Sequence, residues 1–250
     1  MTMKKWALDA VYVLSVKTFA DRIEHVQKEL DKHQIPFEFI FEYDIESLTS
    51  EIQDQYFGGH QKLELPQRSL VLKHIQAWRQ CVNADHQNIL VFEDDVLLKD
   101  GFVEYLKQAM DAVPSKDEGY LLFLGGEDTK VPDAFLLSKD LVIENPIATA
   151  EAYVTNQQAC IKRMAWLESH KVELPADFLL RAVDPACGIK QYWVKTAIAA
   201  QGSVTGIFPS SLDKQRQKHS LLYNQLRHEW QKINRKKIRT AMAMVKQLFK

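Results

Sequence analysis

The 250-residue sequence is poor in glycine (nine), proline (eight) and cysteine (three). It contains neither a GxGxxG nor a GxxxxGK[ST] stretch, which removes the two commonest phosphate-binding fingerprints of nucleotide enzymes. Cys81, Cys160 and Cys187 are odd in number and widely spaced, so they form neither a disulfide framework nor a CxxC metal pattern. Reduced, structural thiols in a cytoplasmic protein are the expectation. No apolar run approaches the roughly 18 residues of a membrane span. Lys4-Lys5 and the apolar residues after them could open a signal peptide. Asp9 and Lys17 interrupt that run, however, and no small-residue cleavage site follows. The chain is thus expected to be cytoplasmic and soluble, at most peripheral on the inner face of the cytoplasmic membrane. Internal repeats and low-complexity tracts are also missing.

An excess of charge is missing too, but only on average. The formal net charge is −1, which argues against a nucleic-acid partner. Residues 1–213 carry 21 basic and 32 acidic groups, a balance of −11, whereas residues 214–250 carry 11 basic groups against Glu229 alone, a balance of +10. An acidic body with a basic tail suggests a division at about residue 219: a catalytic or binding domain over 1–218 and a helical segment over 219–250.

Along the body, short β-branched runs alternate with helical spacings. Ala10–Val16 reads as a buried strand, and Phe19–Gln34 as a helix with Phe19, Ile23, Val26 and Leu30 on one face, stopped by Pro36. Phe37–Phe41 reads as a second strand. This opening predicts a parallel βαβ unit. Glu46–Pro66 reads as an irregular excursion, followed by a helix over Ser69–Ala84, a strand over Asn88–Phe92, a helix over Gly101–Val113 and a strand over Tyr120–Leu124. Beyond it, strands are expected at Leu141–Glu144, Ala150–Val154 and Ser203–Phe208, with a helix at Ala159–Ser169. The pattern is that of an α/β chain.

The most informative stretch is Ile89-Leu-Val-Phe-Glu-Asp-Asp-Val96, where a buried strand runs directly into three acids. Ligands of open α/β sheets bind beyond the carboxyl ends of the strands. If the extended geometry continues, Glu93 and Asp95 share one side and Asp94 faces the other. Neighbouring carboxylates repel unless a cation bridges them, and hard oxygen ligands suit Mg2+ or Mn2+ shared with a diphosphate. The alternative is a solvated loop or a cap, for which Asp100 before Gly101 is the better candidate.

These features, in this order, resemble glycosyltransferase family 25, which includes lipooligosaccharide and collagen galactosyltransferases. The resemblance rests on Val11-Tyr-Val-Leu-Ser15 with Asp21-Arg22, Tyr43-Asp44, Leu72-Lys-His-Ile-Gln-Ala-Trp78, Leu90-Val-Phe-Glu-Asp-Asp-Val96, Ala152-Tyr-Val154, Pro175-Ala-Asp177, and Phe208-Pro209 with Ser220. Departures are Ser15 for the usual Asn, Ile45 rather than Gly after Asp44, and Gln67, Ser69, Leu70 and Lys73 for Glu, Gly, Cys and Ser. The resemblance implies a GT-A-like, Rossmann-type mixed sheet flanked by helices, a nucleotide-sugar donor (UDP-galactose or UDP-glucose), a divalent cation, inversion at the anomeric carbon and a saccharide acceptor.

Under that resemblance Asp95 is the main metal ligand, with Glu93 beside it and His219 as a late third ligand. Ser15, Arg22, Asp44 and Asp94 are the nucleotide- or sugar-binding candidates. The base that deprotonates the acceptor is sought among Asp177, which matches the Pro-x-Asp element, Asp184, which has strand-end character, Glu151 and Glu127. His74 lies on an apolar helix face and is either a core histidine or a site residue. The tail, with Leu222, Leu226, Trp230 and Ile233 followed by Ala241, Met244, Val245 and Leu248, is a cationic amphipathic segment. It suits an anionic membrane surface carrying a lipid-linked acceptor, or packs on the acidic body. A non-catalytic GT-A-like scaffold or nucleotide-sugar binding protein is the competing reading. A nucleotidyltransferase would need a Gly- and Lys/Arg-rich triphosphate loop near the N-terminus, and residues 11–22 lack one.

Overall fold

A computed structural model of the chain describes residues 8–58, 62–114, 116–125, 137–146, 149–205, 223, 226–227, 229–230 and 233–248. The first run of apolar residues forms β1 (Ala10–Leu14), all five of whose side chains are buried. It is followed by α1 (Ala20–Lys32) and β2 (Glu38–Ile40), and β2 pairs parallel to β1. The expected βαβ opening is therefore present. α1 buries Val26 and Leu30 against the sheet.

The polar excursion that follows is not wholly irregular. Thr49 accepts a hydrogen bond from the Ile52 amide and caps α2 (Ser50–Tyr56). α3 (Leu65–Asn83) starts four residues before the predicted Ser69, because Pro66 suits a first helical turn and the Gln67 side chain accepts the Glu64 amide at 3.0 Å. β3 (Asn88–Glu93), β4 (Val96–Leu98), α4 (Phe102–Asp111) and β5 (Tyr120–Phe123) follow. Then come β6 (Val142–Glu144), β7 (Ala152–Asn156), α5 (Gln157–Ser169), α6 (Ala176–Ala186) and β8 (Lys190–Val194). Of the predicted Ser203–Phe208 strand, the described part is corrected: Gly202–Thr205 is a helical turn, α7, preceded by β9 (Ala199–Gln201), and residues 206–208 lie outside the described residues. A π-helical turn at Asn234–Arg239 leads into α8 (Thr240–Leu248).

Seven strands form one mixed sheet in the order β2-β1-β3-β7-β5-β8-β6, and β4 and β9 form a separate antiparallel pair. β1, β2 and β3 are parallel, whereas β7 runs antiparallel between β3 and β5. Both faces of the sheet are covered, which explains the continuous rather than alternating apolar runs of β1 and β3. On one face Tyr12, Leu14, Ile89, Val91 and Tyr153 pack with Leu72, Ile75 and Trp78 of α3 and with α5 and α6. On the other, Val11, Val13, Leu90 and Phe92 pack with Val26 and Leu30 of α1 and with Phe102 and Leu106 of α4.

Candidate active site

The exits of β1, β2 and β3 and the entry of antiparallel β7 lie at one edge of the sheet. Leu14 pairs with Glu93 and Phe92 with Ala152, so Ser15, Asp94 and Glu151 follow within a residue of that edge. A pocket of about 340 Å3 opens there. Its polar lining includes Ser15, Arg22, Ser69, Lys73, Glu93 and Asp94, and apolar residues such as Val16, Phe19, Pro66 and Leu70 complete it.

The acidic triplet is divided differently from the expectation. The extended strand ends at Glu93, and Asp94-Asp95 form a turn before β4. The alternation rule therefore does not reach them, and Glu93 and Asp94 both line the pocket. Asp94 is buried, accepting from Ser15 Oγ at 2.8 Å and pairing with Arg22 at 2.7 Å. Burial pushes its carboxyl up, against the pull of Arg22 and Ser15. The expected residues Ser15, Arg22 and Asp94 thus form one connected unit.

Asp95 turns toward β9 and α7. Its Oδ2 accepts the Ser203 amide at 3.0 Å, while Oδ1 is buried with no hydrogen-bond partner. The Gln201 side-chain Nε2 donates to Glu93 Oε2 at 3.1 Å. Burial, reinforced by the charges of Asp95, Asp94 and Asp177, raises the Glu93 carboxyl to about 8. Among the described residues no three His, Cys, Asp or Glu side chains converge as a metal cage. His219, the expected third ligand, lies outside the described residues, as does Glu127.

His74 is buried and, by that burial first and Arg163 second, is held neutral with its pKa lowered to about 3. Trp78 Nε1 donates to Tyr153 Oη at 3.1 Å, and Oη lies 2.9 Å from His74 Nδ1. The second imidazole nitrogen is Nε2. That nitrogen has no hydrogen-bond partner and lies 3.8 Å from Glu93 Oε1. His74 is therefore both core residue and neighbour of the site.

The base candidates separate by environment. Asp177 stands half-buried in the first turn of α6, near enough for its charge to reach both Glu93 and His74, and burial raises its carboxyl. Asp184 is corrected: it is not at a strand end but inside α6, with both oxygens bound by Arg163 at 2.7 and 2.9 Å and Gln191 on Oδ2 at 3.0 Å. A carboxylate with no exposed surface cannot meet an acceptor hydroxyl. Glu151 is buried against Gly125, where an added Cβ would stand 2.1 Å from its Oε1, and its carbonyl accepts the Glu93 amide at 2.9 Å. Asp44 is also displaced from expectation. It is not a lining residue; its Oδ1 accepts Lys73 Nζ at 2.6 Å and its Oδ2 the Lys17 amide at 3.0 Å. Lys73 itself lines the pocket. Its signal in the sequence was a departure from the family's Ser.

Residues 8–177 match the family model described as glycosyltransferase family 25 (LPS biosynthesis protein). The chain belongs to glycosyltransferase family 25. It is 31% identical over 185 residues to the lipooligosaccharide biosynthesis protein lic2B of Haemophilus influenzae, covering 69% of this chain and 67% of that protein. It is 27% identical over 100 residues to the lacto-N-neotetraose biosynthesis glycosyltransferase LgtB of Neisseria meningitidis serogroup B, covering 39% of this chain and 36% of that one. Among solved structures, a glycosyltransferase involved in glycosylation of the major capsid of PBCV-1 aligns with a TM-score of 0.41 at 10% identity, over 88% of this chain and 99% of that one. A197 from STIV aligns with a TM-score of 0.40 at 9% identity, over 74% and 80%. Both are too distant to bear on function. The family 25 match spans every residue that lines the pocket, from Leu14 to Asp94. As a family 25 member the chain is a glycosyltransferase with a mixed sheet flanked by helices.

Proposed function

We propose that the chain transfers a hexose, galactose before glucose, from a UDP-sugar to a saccharide acceptor in lipooligosaccharide or surface-polysaccharide synthesis, with inversion. The observation that carries this reading is the pocket at the ends of β1 and β3, where Ser15, Arg22, Lys73, Glu93 and Asp94 converge. Its lining holds more acids than bases, so a diphosphate would need a further positive charge there.

A divalent cation fits the residues present. Asp95 Oδ1 is a buried, orphaned oxygen, and the raised Glu93 carboxyl is one that a nearby cation would hold ionised. Mg2+ and Mn2+ sites commonly take one or two carboxylates and complete the shell with water and phosphate oxygens. Glu93 and Asp95 are the proposed ligands, with His219 as a third. When bound, the ion would neutralise the departing diphosphate.

The remaining work falls to side chains. Arg22, anchored on Asp94, and Ser15 hold the nucleotide end. Asp177 is the proposed base: a raised carboxyl takes a proton near neutral pH better than an ordinary one. It accepts the acceptor hydroxyl's proton as that oxygen bonds to the anomeric carbon and the bond to the diphosphate breaks, releasing UDP. The His74–Tyr153–Trp78 chain fixes the wall behind Glu93.

The tail is the proposed contact with an anionic bilayer bearing a lipid-linked acceptor. No described helix is long and apolar enough to cross a membrane. Leu226, Trp230, Met242, Met244, Val245 and Leu248 are all more than half exposed, and the sequence of residues 214–250 is rich in Lys and Arg. Co-sedimentation with anionic but not neutral vesicles is expected, and equal binding to both counts against it. The test of the enzymatic reading is UDP release from UDP-galactose and UDP-glucose with and without Mn2+. Release that needs the cation supports it; no release from either donor with any saccharide acceptor favours the non-catalytic scaffold.

A further inference from the structure

Helix α3 turns two buried polar side chains, Ser69 and Lys73, toward the same chain reversal after β2. Ser69 Oγ donates to the Tyr43 carbonyl at 2.7 Å. Lys73 Nζ donates to the Glu42 carbonyl at 2.8 Å and to Asp44 Oδ1 at 2.6 Å. Tyr43 stands at φ 66°, a left-handed conformation that a bulky residue adopts only when its surroundings hold it. The two α3 side chains supply that hold. Asp44 Oδ2 ties the same reversal to the Lys17 amide at the exit of β1.

Stability alone does not account for the lysine. Taking an ammonium and a carboxylate out of water is costly, and neutral side chains of similar volume often serve a buried position as well. The pair is also arranged unequally. Lys73 lines the pocket, whereas Asp44 does not. An ammonium has three N–H donors, and two of them are used. Of the two lining cations, Arg22 pairs with Asp94, itself a lining residue, while the counter-ion of Lys73 is outside the cavity. Lys73 therefore borders the pocket with one N–H left over, while Glu42 and Asp44 hold its ammonium.

We propose that Lys73 is a ligand-contacting residue that binds an anionic oxygen of the donor's diphosphate, and that Asp44 is a positioning residue acting through it. This rests on the nucleotide-sugar reading above and reverses the role expected for Asp44, which becomes a support rather than a direct nucleotide contact. Ligand selectivity follows. The gain from Lys73 belongs to the phosphates and not to the nucleoside.

The test is the affinity of the full chain for UDP and for uridine, measured by calorimetric titration in Mg2+, with thermal melts to confirm folding. Lys73→Met is expected to lower UDP affinity by about tenfold, the scale of one charge-assisted hydrogen bond, and to leave uridine affinity unchanged. Asp44→Asn is expected to lower UDP affinity by a smaller factor, again sparing uridine. The double variant Asp44→Asn/Lys73→Met leaves no lone buried charge, so it guards against misfolding, and it should match Lys73→Met. Unchanged UDP affinity in Lys73→Met, or equal losses for UDP and uridine in the double variant, overturns the assignment. A wild-type chain that binds neither ligand overturns the nucleotide reading itself, an outcome separate from failure of the Lys73 assignment alone.

Discussion

Asp177 and Asp184 stand on the same helix, α6, seven residues apart, which is about two turns. Both were candidates for the catalytic base, and both sit on a largely apolar face. The one in the first turn is half-buried, feels Glu93 and His74, and carries a raised carboxyl. The other has no exposed surface, and Arg163 and Gln191 bond both of its oxygens. Residue type and helix are identical, so environment alone divides their roles. A fully bonded carboxylate holds α5, α6 and β8 together; an incompletely bonded one is left able to take a proton.

The sharpest way to break this contrast is to neutralise each acid in turn. Asp177→Asn is expected to lower kcat about 10²- to 10⁴-fold, the usual contribution of a general base, with the melting temperature nearly unchanged. Wild-type turnover in that variant removes Asp177 from the chemistry. Asp184→Ala should instead leave Arg163 buried without its partner and cost about 3–5 kcal/mol of stability. Turnover per folded molecule should persist. A stable Asp184→Ala protein with lost turnover would exchange the two roles.

Glu93 extends the comparison to pH. Its carboxyl is raised in the folded chain to about 8. The folded state therefore keeps a proton that the unfolded state loses at ordinary carboxylate pH. Without a divalent cation, the stability from this group is fully present below about pH 4.5 and is lost as pH rises through about 8. Glu93→Gln should match the wild type near pH 5 and melt higher near pH 9, by about 2–4 °C per kcal/mol relieved. A constant difference across that range contradicts the assignment. The smallest effect concerns Gly125, whose missing Cβ makes room for Glu151. Gly125→Ala should destabilise by about 1–3 kcal/mol, and truncating Glu151 to alanine in the same chain should recover most of it. Thermal melts of the single and double variants decide this.

Much of this arrangement was legible because apolar runs and acids obey local rules. β1, β3 and the triplet at residues 93–95 could be read directly, since both sheet faces are covered and the strand ends in charge. The motif order pointed to family 25 for the same reason. What escaped was set by tertiary partners. Asp184 read as a strand-end acid because Ala182, Val183 and Pro185 surround it; the helix is fixed by packing, and Arg163 arrives from another element. Asp94 and Asp95 took unexpected directions because a turn ends the alternation at Glu93. Lys73 stood out only as a departure from the family's Ser, and its partner Asp44 comes from the chain reversal after β2. Pairings of that kind have no local signature.

On the proposed reading, the pocket at the ends of β1 and β3 is the donor site. Crystals of the wild-type chain soaked with UDP and Mn2+ test it most directly. Nucleotide density is expected in the cavity lined by Ser15, Arg22, Lys73, Glu93 and Asp94, with a phosphate oxygen within hydrogen-bond reach of Lys73 and the ion beside Glu93 and Asp95. Nucleotide bound elsewhere on the chain, with this cavity free of it at saturating UDP, would contradict it.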